Sequence, residues 1–460
     1  MKNKGFGKDL TSGSIPKNLL KFALPILIGN ILSTGYSVIN IMWVGNLLGK
    51  DAVGAVAVSF PVFLGMVALC SGATLATSVL VAKAYGAKYP AQIQRIVNCS
   101  WTVGGGLILV ITLSGLLFCE EILRFLKTPS EILPMASGYL RIMFINFAGL
   151  YASYLISSIL RGLGDTVLPL ICIIISTMVN AVLDPLLILG IGPFPELGLN
   201  GSAYSDLIAT TLIIVLGVFY MVHRYKNEPI NPTKLLFEKE MVFDILKIGI
   251  PLFVQQMLIS AGYAFLTVFV NRFGSASIAA FGIVSKIDSI AAMPAMALMI
   301  SVSALTAQNI GAGKPEKIRT ILTSGILVNI PIILLISLLC VTFSQGIMNV
   351  FIKDPEVIRI GVGYLRIVGG GYLFFSVFYV SNGILNGAGK TLSTLILSFI
   401  SLCMIRIPLA GLLSRTNLGL QGIWIAIIIS FAASMINSLV YYRWGTWRKG
   451  LFPAVRSDTT

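Results

Sequence analysis

Chemistry in this chain is confined to a few polar side chains set inside long apolar runs. Asp184 stands in "MVNAVLDPLLILG" (178–190). Pro185 follows it and can break the helical ladder locally, and Asn180 lies four residues earlier on the same helical face. Asn40 sits in "GYSVINIMWVG" (35–45), where Tyr36 and Ser37 are the other polar residues. Asp288, in "SKIDSI", reads equally as a functional acid or as a local partner of Lys286, while Asp206 reads as interfacial. Arg406, in "CMIRIPLAG", reads as a base that snorkels or pairs. An ionisable group inside a bilayer is costly, and such groups mark ion pathways and proton relays. For Asp184 that reading stands ahead of the bland one, an acid satisfied by polar neighbours or a water.

Other chemistries find little support. A single imidazole, His223, cannot build a metal site and reads as a helix-end residue. The six cysteines fall mostly inside apolar runs, lack metal-ligand spacing and read as small buried hydrophobes. "NGILNGAGKT" (382–391) ends like a phosphate-binding loop, but Ile384 occupies the position that needs glycine. Its place between two apolar runs makes it a tight loop. With no nucleophile–base pair either, the chain reads as a non-enzyme without a bound cofactor.

The elements that position these residues are membrane helices. Hydrophobic residues make up 56% of the chain, charged residues 11%, and mean hydropathy is +0.90, whereas soluble proteins carry about 25% charged residues. Apolar runs long enough to span a bilayer begin near residues 18, 52, 96, 134, 167, 201, 246, 276, 318, 358, 392 and 420. The net charge of +15 lies in short loops rather than in one patch, which argues against nucleic acid. With a cytoplasmic N-terminus the inner segments hold 21 Lys and Arg and the outer loops 7, so both termini are expected in the cytoplasm. The N-terminal stretch reads as lacking a cleaved signal peptide.

The sequence also repeats. "LLKFALP" (19–25) recurs as "ILKIGIP" (245–251), "YGAKYPAQIQRI" (85–96) as "IGAGKPEKIRTI" (310–321), and "GYLRIM" (138–143) as "GYLRIV" (363–368). "RGLGDT" (161–166) recurs as "NGAGKT" (386–391), and "LGLNG" (197–201) as "LGLQG" (418–422). The expected fold is an all-α integral membrane protein of twelve transmembrane helices. They form two pseudo-symmetric six-helix bundles, residues 1–225 and 226–460, each with a cytoplasmic tail. Six helices per half make these parallel repeats, an arrangement in which substrate binds near the midplane between the halves. The repeat partner of the Asp184 region, "CMIRIPLAG" (403–411), keeps its proline as Pro408 but has no acid. Asp184 is therefore not a residue of fold symmetry. The glycine triplets 104–106 and 369–371 are expected to serve close packing before bending. The methionines between 293 and 299 read first as filler and second as an adaptable pocket wall.

Together "LTSGSIPKNLLKFALPILIGNIL", "VGNLLGKDAVGAVAVSFP", "ILRGLGDT" and "LDPLLILGIGPFPELGLNGSA" resemble the multidrug and toxic compound extrusion (MATE) family over essentially the whole chain. The likeness is greatest to its DinF-like branch. The resemblance implies a multidrug efflux antiporter of the bacterial inner membrane, a multi-pass monomer exporting lipophilic, often cationic compounds against H+ or Na+. It implies a proton-linked aspartate where this chain has Asn40, near a cluster that maps onto Tyr139, Asn180 and Asp184. Ser202 stands at a position often held by threonine. NorM-like relatives carry acids in spans 7 and 10, whereas this chain has Gln255 and Gln256 and no acid between 357 and 390, which points to H+ rather than Na+.

A buried carboxyl can alternate between neutral and charged forms, but an amide of the same shape cannot ionise. Asn40 thus resembles a permanently protonated aspartate and suggests an uncoupled or impaired form. It is either a natural variant relying on Asp184 or a deliberate alteration, and the intact surrounding motif favours the second. Proton coupling is assigned to the position of Asn40 and to Asp184. Substrate contacts are assigned to Tyr36, Asn40, Tyr139, Asn180, Asp184, Ser202, Gln256 and Tyr263. The rival readings are a flippase for lipid-linked intermediates, a Na+-coupled drug antiporter and a passive channel.

Overall fold

The computed structural model describes residues 7–224 and 236–448. The boundary expected at residues 225 and 226 and the tail residues Lys449 and Arg456 lie outside the described residues. All regular structure among the described residues is helical. The first six helices are α1 (Ile15–Leu48), α2 (Lys50–Gly86), α3 (Pro90–Phe125), α4 (Leu133–Gly162), α5 (Val167–Leu189) and α6 (Leu199–Arg224). Next come α7 (Lys239–Val270), α8 (Ser275–Gly311), α9 (Lys317–Thr342) and the short α10 (Ser344–Phe351). The rest are α11 (Pro355–Gly369), α12 (Tyr372–Gly387), α13 (Thr391–Phe399), α14 (Ile407–Leu413) and α15 (Leu420–Trp444).

Single helices of 23 to 37 residues measure roughly 35 to 55 Å, enough to cross a hydrocarbon core of about 30 Å. α11 and α12 meet at a 51° bend and together supply one further span. Every one of the twelve expected spans is thus a helix or a bent helix pair. The bend falls on the triplet Gly369–Gly371, which also packs closely: a Cβ on Gly371 would stand 3.1 Å from Ile428 and one on Gly369 3.3 Å from Cys340. The triplet at 104–106 divides: a Cβ on Gly104 would stand 2.0 Å from a ring carbon of Tyr151, while Gly105 and Gly106 have nothing within 4 Å. One glycine of three carries the close approach.

The chain forms two compact units. Unit 1 comprises residues up to Asp9 and Ile28–Ile250; unit 2 comprises Leu10–Leu27 and Pro251 onward. The first half of α1 therefore packs into unit 2, where Leu19, Phe22, Ala23 and Ile26 join a core with Leu298, Val302, Val380 and Ile384. The first half of α7 packs into unit 1, with Gly249 close against the backbone of Gly72. Pro25 and Pro251, equivalent in the repeat, lie beside these crossover points.

Within each unit one helix is central. α4 in unit 1 and α8 in unit 2 are mostly buried along their apolar stretches, whereas the other single-helix spans are less than half buried. A helix apolar on all sides suits that position, because it meets protein all round. The decoy loop is resolved plainly: residues 382–387 end α12, and Gly389, at φ +78°, turns the chain into α13.

Span 11 is not a plain α-helix. Between α13 and α14, Ile400–Arg406 wind as a π-helix. Pro408 lacks an amide hydrogen and crowds the carbonyl four residues back, and a wider winding absorbs that defect. Such π segments recur at functional sites. This one ends on Arg406.

Candidate functional site

Each unit holds a polar cluster built around a buried or half-buried acid. In unit 1 three helices contribute pairs at one-turn spacing, which places both members of each pair on one face. These are Tyr36 and Asn40 on α1, Asn180 and Asp184 on α5, and Ser202 and Asp206 on α6. Asp184 is fully buried, and Asn180 and Ser202 nearly so.

Asn40 is the hub. Its Nδ2 donates to Asp184 Oδ2 at 2.9 Å and to Ser202 Oγ at 2.8 Å, with a longer contact of 3.3 Å to the Tyr36 hydroxyl. The Tyr36 hydroxyl donates to Asp184 Oδ2 at 2.9 Å and reaches Asp206 Oδ1 at 3.5 Å. Asn180 Nδ2 donates to Asp206 Oδ1 at 3.0 Å, and the Ser205 hydroxyl donates to Asn180 Oδ1 at 3.0 Å. Asp184 Oδ1 is buried and has no hydrogen-bond partner of good geometry among the described residues, although the Ser205 hydroxyl, which donates to Asn180 Oδ1, lies near the carboxyl. The donors from Asn40 and Tyr36 therefore gather on one oxygen of Asp184.

Of the residues singled out from sequence, Tyr36, Asn40, Asn180, Asp184 and Ser202 come together here. Tyr139 lies buried on α4 in the same unit but makes no hydrogen bond to the network among the described residues. Asp206 had been read as interfacial. Instead it is a half-buried member of the cluster, because α6 starts at Leu199 and lies along α5. The Ser202–Asp206 spacing of four, facing Asn180 and Asp184, was the signal for it.

The second cluster lies within unit 2, around a cavity of about 230 Å³. Its acid is Asp288 on α8, 8% exposed. Oδ1 accepts from the Tyr372 hydroxyl at 2.5 Å and Oδ2 accepts from the Tyr364 hydroxyl. Lys286 makes no ion pair with it among the described residues, so of the two equal readings of Asp288 the local pairing does not form. Residues two apart on a helix do not face each other. Tyr364 packs edge-on against Trp424, at 4.7 Å between centroids, and this fixes its hydroxyl toward the acid.

Arg406 projects into the same cavity and is 6% exposed. It neither snorkels nor pairs with an acid among the described residues. Its Nε donates to Ser430 Oγ at 2.7 Å, and its guanidinium carbon lies 4.9 Å from the centre of the Phe431 ring. Gln256 and Tyr263 line this cavity, as does Met296. Gln255 points elsewhere, donating to Ser398 Oγ at 2.6 Å. His223 is exposed at the end of α6 and stacks on Phe219.

Two six-span units, each enclosing polar groups deep in apolar helices, define a membrane transporter. The MatE family model matches residues 25–186 and 251–412, two blocks that coincide with the internal repeat. The chain belongs to the MatE family, the multidrug and toxic compound extrusion transporters. It is 34% identical over 440 residues to the probable multidrug resistance protein YpnP of Bacillus subtilis (strain 168), covering 96% of this chain and 97% of that one. It is 25% identical to the multidrug export protein MepA of Staphylococcus aureus (strain MSSA476), covering 93% of each. Among solved structures, a crystal structure of a MATE protein in the bent conformation superposes with a TM-score of 0.88. It is 23% identical and covers 97% of each chain. That likeness speaks to the fold alone.

Proposed function

We propose that this chain is a proton-coupled multidrug efflux antiporter of the DinF-like branch in which Asp184 carries the coupling proton. The single observation behind this reading is the asymmetry of the Asp184 carboxyl. Oδ2 gathers donors from Asn40 and Tyr36, whereas Oδ1 is buried without one. A proton arriving at Oδ1 displaces no existing hydrogen bond. Its arrival neutralises the acid and weakens the bonds to Asn40 and Tyr36, because bonds to a charged acceptor are the stronger ones.

Both of those donors ride on α1. Protonation thereby loosens the tie between α1 and α5, and deprotonation restores it. Asn40 supplies hydrogen bonds without ionising, so the cluster has one proton carrier fewer than the family resemblance implies. In this reading the protein is a monomer in the bacterial cytoplasmic membrane, with both termini in the cytoplasm. Its cargo is lipophilic, often cationic, small molecules, and it uses no bound cofactor.

The test is efflux of ethidium from proteoliposomes driven by either an imposed pH gradient or an imposed Na+ gradient. The pH gradient alone is expected to drive transport. Transport driven only by Na+ overturns the proton assignment, and ethidium movement unaffected by both gradients overturns antiport.

A further inference from the structure

The cavity of unit 2 holds a buried cation that the proposed proton cycle does not use. The Arg406 guanidinium makes one hydrogen bond, from Nε to Ser430 Oγ, and no ion pair among the described residues. Asp288 lines the same cavity and its charge acts on Arg406 at a distance, but its two oxygens accept from tyrosine hydroxyls and it forms no ion pair with the guanidinium. Burying a guanidinium is costly, and an acid held out of contact offsets only part of that cost. The remaining N–H donors of the guanidinium are a fork shaped to receive two oxygens of one planar anion.

The surroundings specify the rest of the ligand. Phe375, Phe378, Tyr379 and Phe431 line the cavity beside Arg406. Phe375 packs against both Tyr379 and Phe431, at 4.4 and 5.0 Å between centroids. Aromatic walls of this kind accept a flat ring system by stacking and edge contacts. The cavity volume of about 230 Å³ suits a small molecule of one or two fused rings.

We propose that this cavity is a binding site for an aromatic carboxylate, its carboxylate held by Arg406 and its rings held by Phe375, Phe378, Tyr379 and Phe431. The site thus extends the range of ligands beyond lipophilic cations. It stands independently of the coupling ion and of the direction of transport.

The experiment is calorimetric titration of the full chain, purified in an uncharged maltoside detergent, with 2-naphthoate and its neutral isostere 2-naphthamide. A bidentate charge-assisted contact is expected to make 2-naphthoate bind about ten- to a hundredfold more tightly than 2-naphthamide. In Arg406→Gln, with folding checked by thermal melting, the two probes are expected to bind alike. Equal binding of the two probes by the wild-type chain overturns the proposal, as does no detectable binding of 2-naphthoate. A preference for 2-naphthoate that survives intact in folded Arg406→Gln also overturns it. Should that variant not fold, the wild-type comparison of charged and neutral probes decides the matter by itself.

Discussion

Replacing Asn40 by aspartate places a second carboxylate where an amide now donates. The amide nitrogen lies 2.9 Å from Asp184 Oδ2, so the variant sets two acid oxygens at hydrogen-bond distance. At an effective dielectric of about 20, two unit charges at that separation repel by about 6 kcal/mol, or more than four powers of ten in an equilibrium constant. The pair therefore keeps one proton between them at neutral pH, as like charges at such separations do in other carboxylate pairs. A protonated aspartate at position 40 donates to Asp184 as Asn40 does. Asn40→Asp should then preserve the network and, like the wild-type chain, move one proton per cycle.

The assay is ethidium accumulation in proteoliposomes at a fixed pH gradient with the membrane potential clamped. Each coupled proton contributes about tenfold accumulation per pH unit, so one proton and two protons are readily told apart. Two protons in the variant refute the repulsion argument and the contact beneath it. Coupling that appears only in Asn40→Asp, with none in the wild-type chain, shows that residue 40 carries the proton and that Asp184 does not.

Further substitutions test the packing and the unit 2 cluster. Gly104→Ala drives a methyl group to 2.0 Å from the Tyr151 ring and should cost about 1–3 kcal/mol, read as a lower melting temperature. Gly105→Ala, with open space around it, should melt like the wild type. Tyr364→Phe removes one of the two hydroxyl donors to Asp288 and should cost roughly 1–3 kcal/mol. Its effect on melting should vanish in an Asp288→Asn background if the hydroxyl acts through that acid.

The helices and their duplication were legible because both are written in local pattern. Apolar runs mark spans directly, and the pair "LLKFALP" and "ILKIGIP" marks the start of each half. The meeting of Asn40, Asp184 and Ser202 was legible only through family resemblance, since 144 and 162 residues separate Asn40 from those partners. Asp206 was misplaced by its nearness to a span end, although its spacing from Ser202 matched the Asn180–Asp184 pair. Asp288 was harder to read. Its partners lie 76 and 84 residues away, and the adjacent Lys286 offered a decoy that helix geometry rules out. The π-helical winding before Arg406 had a visible cause in Pro408, but which way the backbone would relax depends on neighbours that one sequence does not specify.

The central claim is that Asp184 carries the coupling proton, and Asp184→Asn tests it most directly. The variant keeps side-chain size and hydrogen bonding but cannot ionise. It should fold and melt like the wild type, while a pH gradient no longer drives ethidium out of proteoliposomes. Proton-driven efflux at the wild-type rate in Asp184→Asn contradicts the account and moves the coupling site elsewhere.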